Sequence, residues 1–114
     1  MNIKWVEMKI KVSLEEAKKQ LNHESMNKFT TVMQHGTMKV EFYKPEKVDL
    51  QKPHIQDEIY VITSGTGIFI RNEEKVSFKP NDVLFVPAGV EHRFEKFTDD
   101  FTTWVIFYGK DGGE

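Results

Sequence analysis

Histidine, glutamine and glutamate side chains are concentrated in one short stretch of the chain, and another histidine follows later. The first group contains His54, Gln56 and Glu58, and the later histidine is His92. Side chains of a β-strand alternate between its two faces, so the first group shares a face if its strand is unbroken. Imidazole nitrogens and carboxylate or amide oxygens suit Fe(II), Mn(II), Ni(II), Co(II) or Zn(II). The spacing therefore predicts a divalent metal site formed by His54, Gln56, Glu58 and His92.

Each of these residues, taken alone, also has a purely structural explanation. His92 could be a hydrogen-bonded core histidine, and Glu58 could pair with Arg93 or Arg71. A row of polar side chains facing an apolar interior is costly, however, unless a partner satisfies it, so we favour a metal or ligand site for the group. Three protein ligands leave open positions for water or a substrate. Glu58 and Tyr60 are then the candidate catalytic residues, with Tyr60 orienting the substrate.

Short β-strands must position these residues. Residues after about 28 alternate with the period of two that is typical of strands and are rich in valine, isoleucine, phenylalanine, tyrosine and threonine. Strands are predicted over residues 29–34, 38–43, 58–62, 68–71, 76–78, 83–86, 92–97 and 101–108, and residues 65–67 are predicted to form a hairpin turn. Many short strands without βαβ alternation indicate an antiparallel sandwich or barrel.

The segment before these strands has a different pattern. Residues 1–12 alternate loosely and could form an extended edge segment. Ser13 and Glu16 have the spacing of a capping box, and apolar residues then recur on one helical face. We therefore predict a short helix over roughly residues 13–22.

The composition limits the classes of function. The chain has 114 residues, which suits one domain, and its net charge of −2 with no basic stripe argues against binding to nucleic acid or to an anionic membrane. The absence of cysteine excludes disulfides, zinc fingers and thiol catalysis. We find no membrane-spanning apolar run and no apolar signal core, and therefore expect a cytoplasmic protein.

The first group of candidate ligands matches a known motif. Glu58 and Gly65 occupy the end of the pattern H-x-H-x(3,4)-E-x(6)-G. His54 then takes the position of the second histidine, and Lys52 stands where the first histidine would be. At these residues the chain resembles the cupin superfamily.

The second group matches the second motif of the same superfamily. Pro87, Gly89 and His92 fit the pattern G-x(5)-P-x-G-x(2)-H-x(3)-N, whereas Asn81 and Lys96 replace its glycine and its asparagine. The chain is most similar to small bacterial single-domain cupins of mostly unassigned activity. This resemblance covers roughly residues 29–112 and is carried by the stretches 35–45, 49–60 and 92–109.

The resemblance implies an all-β fold, an antiparallel jelly-roll barrel (double-stranded β-helix) with a short N-terminal helix. Residues 1–114 would form one domain, with about 1–28 as an N-terminal extension and about 29–112 as the barrel. His54, Glu58 and His92 would hold the metal in the barrel lumen, and Gln56 could replace the missing first histidine. Small cupins are often dimers, so a homodimer is expected.

Two functions remain open on this basis. The first is a small metal-dependent enzyme, a dioxygenase or an isomerase, that acts on a small polar acid, sugar or phenol, with Tyr60 or Gln56 orienting the substrate. The alternative is a non-catalytic module that binds a sugar or a small acid. A structural barrel without a ligand is the third reading.

Overall fold

The computed structural model describes residues 9–24, 28–49 and 51–114. Within these ranges the chain forms one helix, α1 (Leu14–His23), and eight strands: β1 (Phe29–His35), β2 (Met38–Tyr43), β3 (Asp57–Ser64), β4 (Gly67–Arg71), β5 (Glu74–Phe78), β6 (Val83–Val86), β7 (His92–Glu95) and β8 (Thr102–Tyr108). Each predicted strand and the predicted helix are therefore present. Residues 1–8 of the predicted edge segment lie outside the described residues, and residues 9–12 form no strand.

The strands form two antiparallel sheets whose apolar inner faces share one core. The first sheet has five strands in the order β1-β2-β8-β3-β6, and the second has three in the order β5-β4-β7. Aromatic rings from both sheets meet at Phe94, whose ring centroid lies 4.9 Å from that of Tyr60, 5.0 Å from Phe69 and 4.7 Å from Phe101. The architecture is the antiparallel jelly roll with a short helix, which confirms the predicted fold class.

The connection from β3 to β4 differs from the prediction. Residues 65–67 were predicted to form a hairpin, but β3 and β4 belong to different sheets, so this segment crosses between the sheets. Gly65 has a φ of +85°, and a Cβ atom there would lie 2.5 Å from the main-chain Cα of Phe101. The glycine therefore allows a left-handed backbone conformation and a close approach to the chain before β8.

Helix α1 covers the outer face of β1 and β2. Ser13 and Glu16 form the predicted capping box, in which each side chain accepts a hydrogen bond from the other residue's backbone N–H. Ala17 and Leu21 are buried against the outer face of β1 and β2, where they pack with Phe42. The apolar outer face is thus covered, and the alternate residues of β2 face the lumen. In the described part of the chain, no helix is long and apolar enough to cross a membrane.

Candidate metal centre

Strand β3 places two of the predicted residues inside the barrel. Glu58 and Tyr60 are fully buried, which confirms that they share an inward face. The strand begins at Asp57, however, and residues 55–56 form a bend. The predicted condition of an unbroken strand from residue 54 is therefore not met, and the loop before β3 presents His54.

Strand β7 brings the later histidine to the same place from the other sheet. His92 is buried at the start of β7, and Phe94 is the next inward residue, as the alternation predicts. His92 Nε2 lies 2.8 Å from Glu58 Oε1, and His54 Nε2 lies 3.8 Å from the same oxygen. Ligand atoms of the three residues all lie within 4.8 Å of one another. The predicted convergence of His54, Glu58 and His92 is thus present.

The polar atoms of this group lack the partners that a structural role would require. Both carboxylate oxygens of Glu58 and the Nε2 atom of His92 are buried without a hydrogen-bond partner among the described residues, although His92 Nε2 and Glu58 Oε1 lie 2.8 Å apart. Arg71 pairs with Glu74, and Arg93 pairs with Glu95, so neither arginine neutralises Glu58. Unpartnered buried groups of this kind fit a cation that the donor atoms would surround.

The two histidines differ in their electrostatic environment. Burial lowers the pKa of His54 below its ordinary value, although the nearby Glu58 opposes the shift. Burial alone would also lower the pKa of His92, but contacts with Glu58 and with the Val90 carbonyl raise this pKa above its ordinary value. The Nδ1 atom of His92 lies 2.9 Å from the Val90 carbonyl oxygen and donates to it, which leaves Nε2 directed towards the site.

A network of polar side chains that the strand pattern did not single out lies beside the three ligands. Gln51 Oε1 accepts a hydrogen bond from the Tyr60 hydroxyl at 2.9 Å and lies 3.4 Å from His54 Nε2. Gln51 Nε2 donates to Asp49, and Asp49 also accepts bonds from the Tyr43 hydroxyl and from the Phe94 backbone N–H. Asp49 and Gln51 precede β3, so the period of two could not identify them. The stretch 49–60 of the family resemblance was the one available signal.

The remaining sequence candidates lie at other positions around the site. The side-chain nitrogen of Gln56 donates to the carbonyl oxygens of Thr37 and Gly109, at 2.9 Å in both cases. Its role as a metal ligand stays a prediction, and so does the catalytic role of Tyr60, whose hydroxyl donates to Gln51. Lys52, at the position of the first motif histidine, is exposed.

A cavity of about 690 Å³ opens beside His54. Its wall includes Lys39, Glu41 and Tyr43, the alternate residues of β2 that face away from helix α1. Lys39 Nζ lies 3.4 Å from Glu41 Oε2, and burial raises the pKa of Glu41 above its ordinary value although Lys39 opposes the shift. The alternation of these three residues was readable in the sequence, but only the position of the helix shows that they face the lumen.

Fold and site together define a jelly-roll protein with a histidine–glutamate centre inside the barrel. Residues 38–108 match the cupin domain family, and the chain belongs to that family. The sequence-based assignment to the cupin superfamily is thereby confirmed.

The chain is also similar to other proteins in sequence and in fold. An uncharacterized protein of Streptomyces coelicolor is 39% identical over 59 residues, which are 52% of this chain and 56% of that protein, so the chain spans little more than half the length of this relative. A cupin superfamily protein from Desulfitobacterium hafniense has a TM-score of 0.60 at 19% identity, covering 72% of this chain and 76% of that one. KdgF from a Halomonas species has a TM-score of 0.62 at 17% identity, covering 69% and 76%. The two structures support the fold.

Proposed function

We propose that the chain is a small metal-dependent enzyme that acts on a small polar molecule by chemistry of the dioxygenase or isomerase type. The observation that carries this proposal is the convergence of His54, Glu58 and His92 at buried atoms that have no other partner in the described ranges. A buried polar group without a partner costs about 1–3 kcal/mol, and more if it is charged. Two imidazoles and one carboxylate suit Fe(II), Mn(II), Ni(II), Co(II) or Zn(II).

A divalent metal held there supplies Lewis acidity towards a substrate oxygen. The residues of the chain supply binding and proton transfer. The cavity beside His54 admits a small molecule, and Glu41 on its wall, whose pKa is raised by burial, is the candidate group for proton exchange with the substrate. Lys39 adjoins Glu41 and can neutralise an acidic group of the substrate.

Metal analysis of protein purified without added metal tests the proposal first. We expect about one metal ion per chain, lost in His92→Ala and in Glu58→Ala. His35→Ala serves as the matched control, because His35 is exposed on β1 and should keep the metal. A parent protein that binds no metal contradicts the proposal.

A substrate screen then separates catalysis from binding. Acids, sugars and phenols are offered to protein loaded with Fe(II), Mn(II) or Ni(II), and oxygen uptake and isomeric products are followed. We expect turnover with at least one class, lost in His92→Ala. Turnover that survives this substitution would refute the role of His92.

The alternative is a binding module without catalytic activity. It is favoured by Lys52, which replaces the first motif histidine and is exposed, so that the motif contributes one imidazole fewer to the site. In that case the loaded protein should bind a sugar or a small acid in calorimetry, with a dependence on the metal, and show no turnover in the screen.

A homodimer in the cytoplasm belongs to the same proposal. Support for the dimer comes from the outer face of β3 and β6, where Val83 and Phe85 are 64% and 43% exposed and pair with Val61 and Ile59. An exposed apolar face of this kind is typical of a contact between subunits. Light scattering should give the mass of a dimer for the parent and of a monomer for Phe85→Arg.

A further inference from the structure

We propose that Gln51 is the fourth protein ligand of the metal, bound through its side-chain oxygen Oε1. This inference rests on the proposed metal site at His54, Glu58 and His92. It assigns the position that the missing first histidine leaves open to a residue outside both cupin motifs.

The position of Oε1 is the first argument. It lies 3.4 Å from His54 Nε2, which is itself 3.8 Å from Glu58 Oε1. The amide oxygen thus adjoins the ring nitrogen that faces the proposed metal, at a separation similar to that between the other donor atoms. An amide carbonyl oxygen has two lone pairs. One accepts the hydrogen bond from the Tyr60 hydroxyl, and the other lies within hydrogen-bond distance of His54 Nε2, a contact that a cation bound to both atoms would replace.

The orientation of the amide group is the second argument. Gln51 Nε2 donates to Asp49 Oδ2 at 2.9 Å, and the same carboxylate oxygen accepts the Phe94 backbone N–H at 2.7 Å. A flipped amide would place its oxygen against this carboxylate, with two acceptors facing each other. Asp49 therefore fixes the oxygen of Gln51 on the side of His54. A ligand held in this way by an outer hydrogen bond is preorganised for the metal.

Two other residues are candidates for this role: Lys52, which occupies the motif position, and Gln56, which the sequence pattern suggested in place of the missing histidine. Both are less suitable. Lys52 is exposed, and a protonated lysine is a poor ligand. Gln56 uses its amide nitrogen to connect the loop to the carbonyl oxygens of Thr37 and Gly109. Gln51 adjoins the group instead, so the site would present two nitrogens and two oxygens, with one carboxylate charge.

Metal titration of the apoprotein tests the assignment. Co(II) is added to the parent, Gln51→Leu, Gln51→Glu and Gln56→Leu, with affinity measured by competition with a chromophoric chelator and coordination followed in the visible d–d bands. We expect Gln51→Leu to bind about 10- to 100-fold more weakly with altered bands. Gln51→Glu keeps an oxygen donor but loses the N–H that bonds to Asp49, so it should bind more tightly than Gln51→Leu, with bands closer to those of the parent than the bands of Gln51→Leu. Gln56→Leu tests the competing assignment, and we expect it to retain more affinity than Gln51→Leu; an equal or larger loss in Gln56→Leu would contradict the inference.

A second measurement uses the parent protein and does not depend on the folding of a variant. Zn(II) is added to the labelled apoprotein, and the side-chain amide resonances of Gln51 and Gln56 are compared. We expect the carbonyl carbon of Gln51 to shift strongly and that of Gln56 to stay near its original position. An unshifted Gln51 carbonyl in zinc-loaded protein, or unchanged affinity in folded Gln51→Leu, overturns the inference while leaving the three-residue site intact. A parent that binds neither Co(II) nor Zn(II) refutes the proposed function itself.

Discussion

The buried Glu58–His92 pair should destabilise the metal-free protein, and replacing both members should reveal this. Both side chains are fully buried, and the two atoms in contact have no hydrogen-bond partner in the described structure. The double variant Glu58→Met and His92→Phe replaces them with apolar side chains of similar size. The ring at position 92 would stay within the aromatic cluster, since the His92 ring lies 6.1 Å from Tyr60 and 6.4 Å from Phe69. We expect the metal-free double variant to unfold at a higher temperature than the parent.

The size of the effect follows from two opposing contributions. Replacing a buried charged pair with well-packed apolar residues is typically neutral or stabilises by about 1–4 kcal/mol. The Val90 carbonyl loses its bond from His92 Nδ1, which costs about 1 kcal/mol. The net change in stability is therefore between about −1 and +3 kcal/mol, and most of this range is a gain. For a domain of this size each kcal/mol raises the melting temperature by roughly 4 °C.

Calorimetry with and without Zn(II) is the suitable assay. At a free metal concentration about 100 times Kd, binding should stabilise the parent by about 2.7 kcal/mol and leave the double variant unchanged. When metal is added, the difference between the two melting temperatures should therefore become smaller or change sign. A double variant that melts well below the parent in chelator, or that is still stabilised by Zn(II), would refute the reasoning.

Two further predictions concern the cavity wall and the crossing between the sheets. Burial raises the pKa of Glu41, so the folded protein holds this proton more tightly than the unfolded chain and loses stability as pH rises from the ordinary to the raised value. Glu41→Gln lacks this loss, so the urea midpoint of the variant should rise relative to that of the parent as the pH increases above about 4.5. The turnover of the variant should fall ~100-fold with metal retained. An unchanged difference in midpoints contradicts the burial argument. Gly65→Ala should destabilise the protein by at least ~2 kcal/mol in thermal unfolding, because its Cβ would lie 2.5 Å from Phe101. Gly36→Ala is the control, since Gly36 also has a positive φ but has open space around it, and it should cost less. Equal losses in the two variants would contradict the packing argument.

The sequence predicted the strands well because their signal is local. The period of two and the turn residues between the strands depend on the chain segment alone, and the capping box of Ser13 and Glu16 marked the start of the helix. The local pattern does not predict which strands pair with each other. A glycine turn after β3 is compatible with a hairpin or with a crossing, and the choice depends on the packing of Gly65 against Phe101, which is distant in sequence.

The same distinction applies to the site. Glu58 and His92 lie on strands, so the alternation predicted their inward orientation, and the structure confirms it. His54 reaches the group from a loop, and its position depends on the bend at residues 55–56 and on the Phe107 ring, whose centroid lies 5.0 Å from its own. Gln51 and Asp49 also lie outside the strands, where no period applies, so their network follows from tertiary contacts alone.

The contrast between Glu58 and Gln51 gives the site its physical logic. Gln51 has hydrogen-bond partners at both ends of its amide group, and its orientation does not depend on a metal. Glu58 has a buried carboxylate without a hydrogen-bond partner in the described residues, so the metal-free state bears an energetic cost there that an ion would remove. A barrel selected only for stability would replace Glu58 with an apolar residue, because strand β3 and its neighbours already bury apolar side chains at the adjacent inward positions. The presence of a buried carboxylate between two imidazoles therefore argues that this position serves binding, at the expense of the stability of the empty barrel.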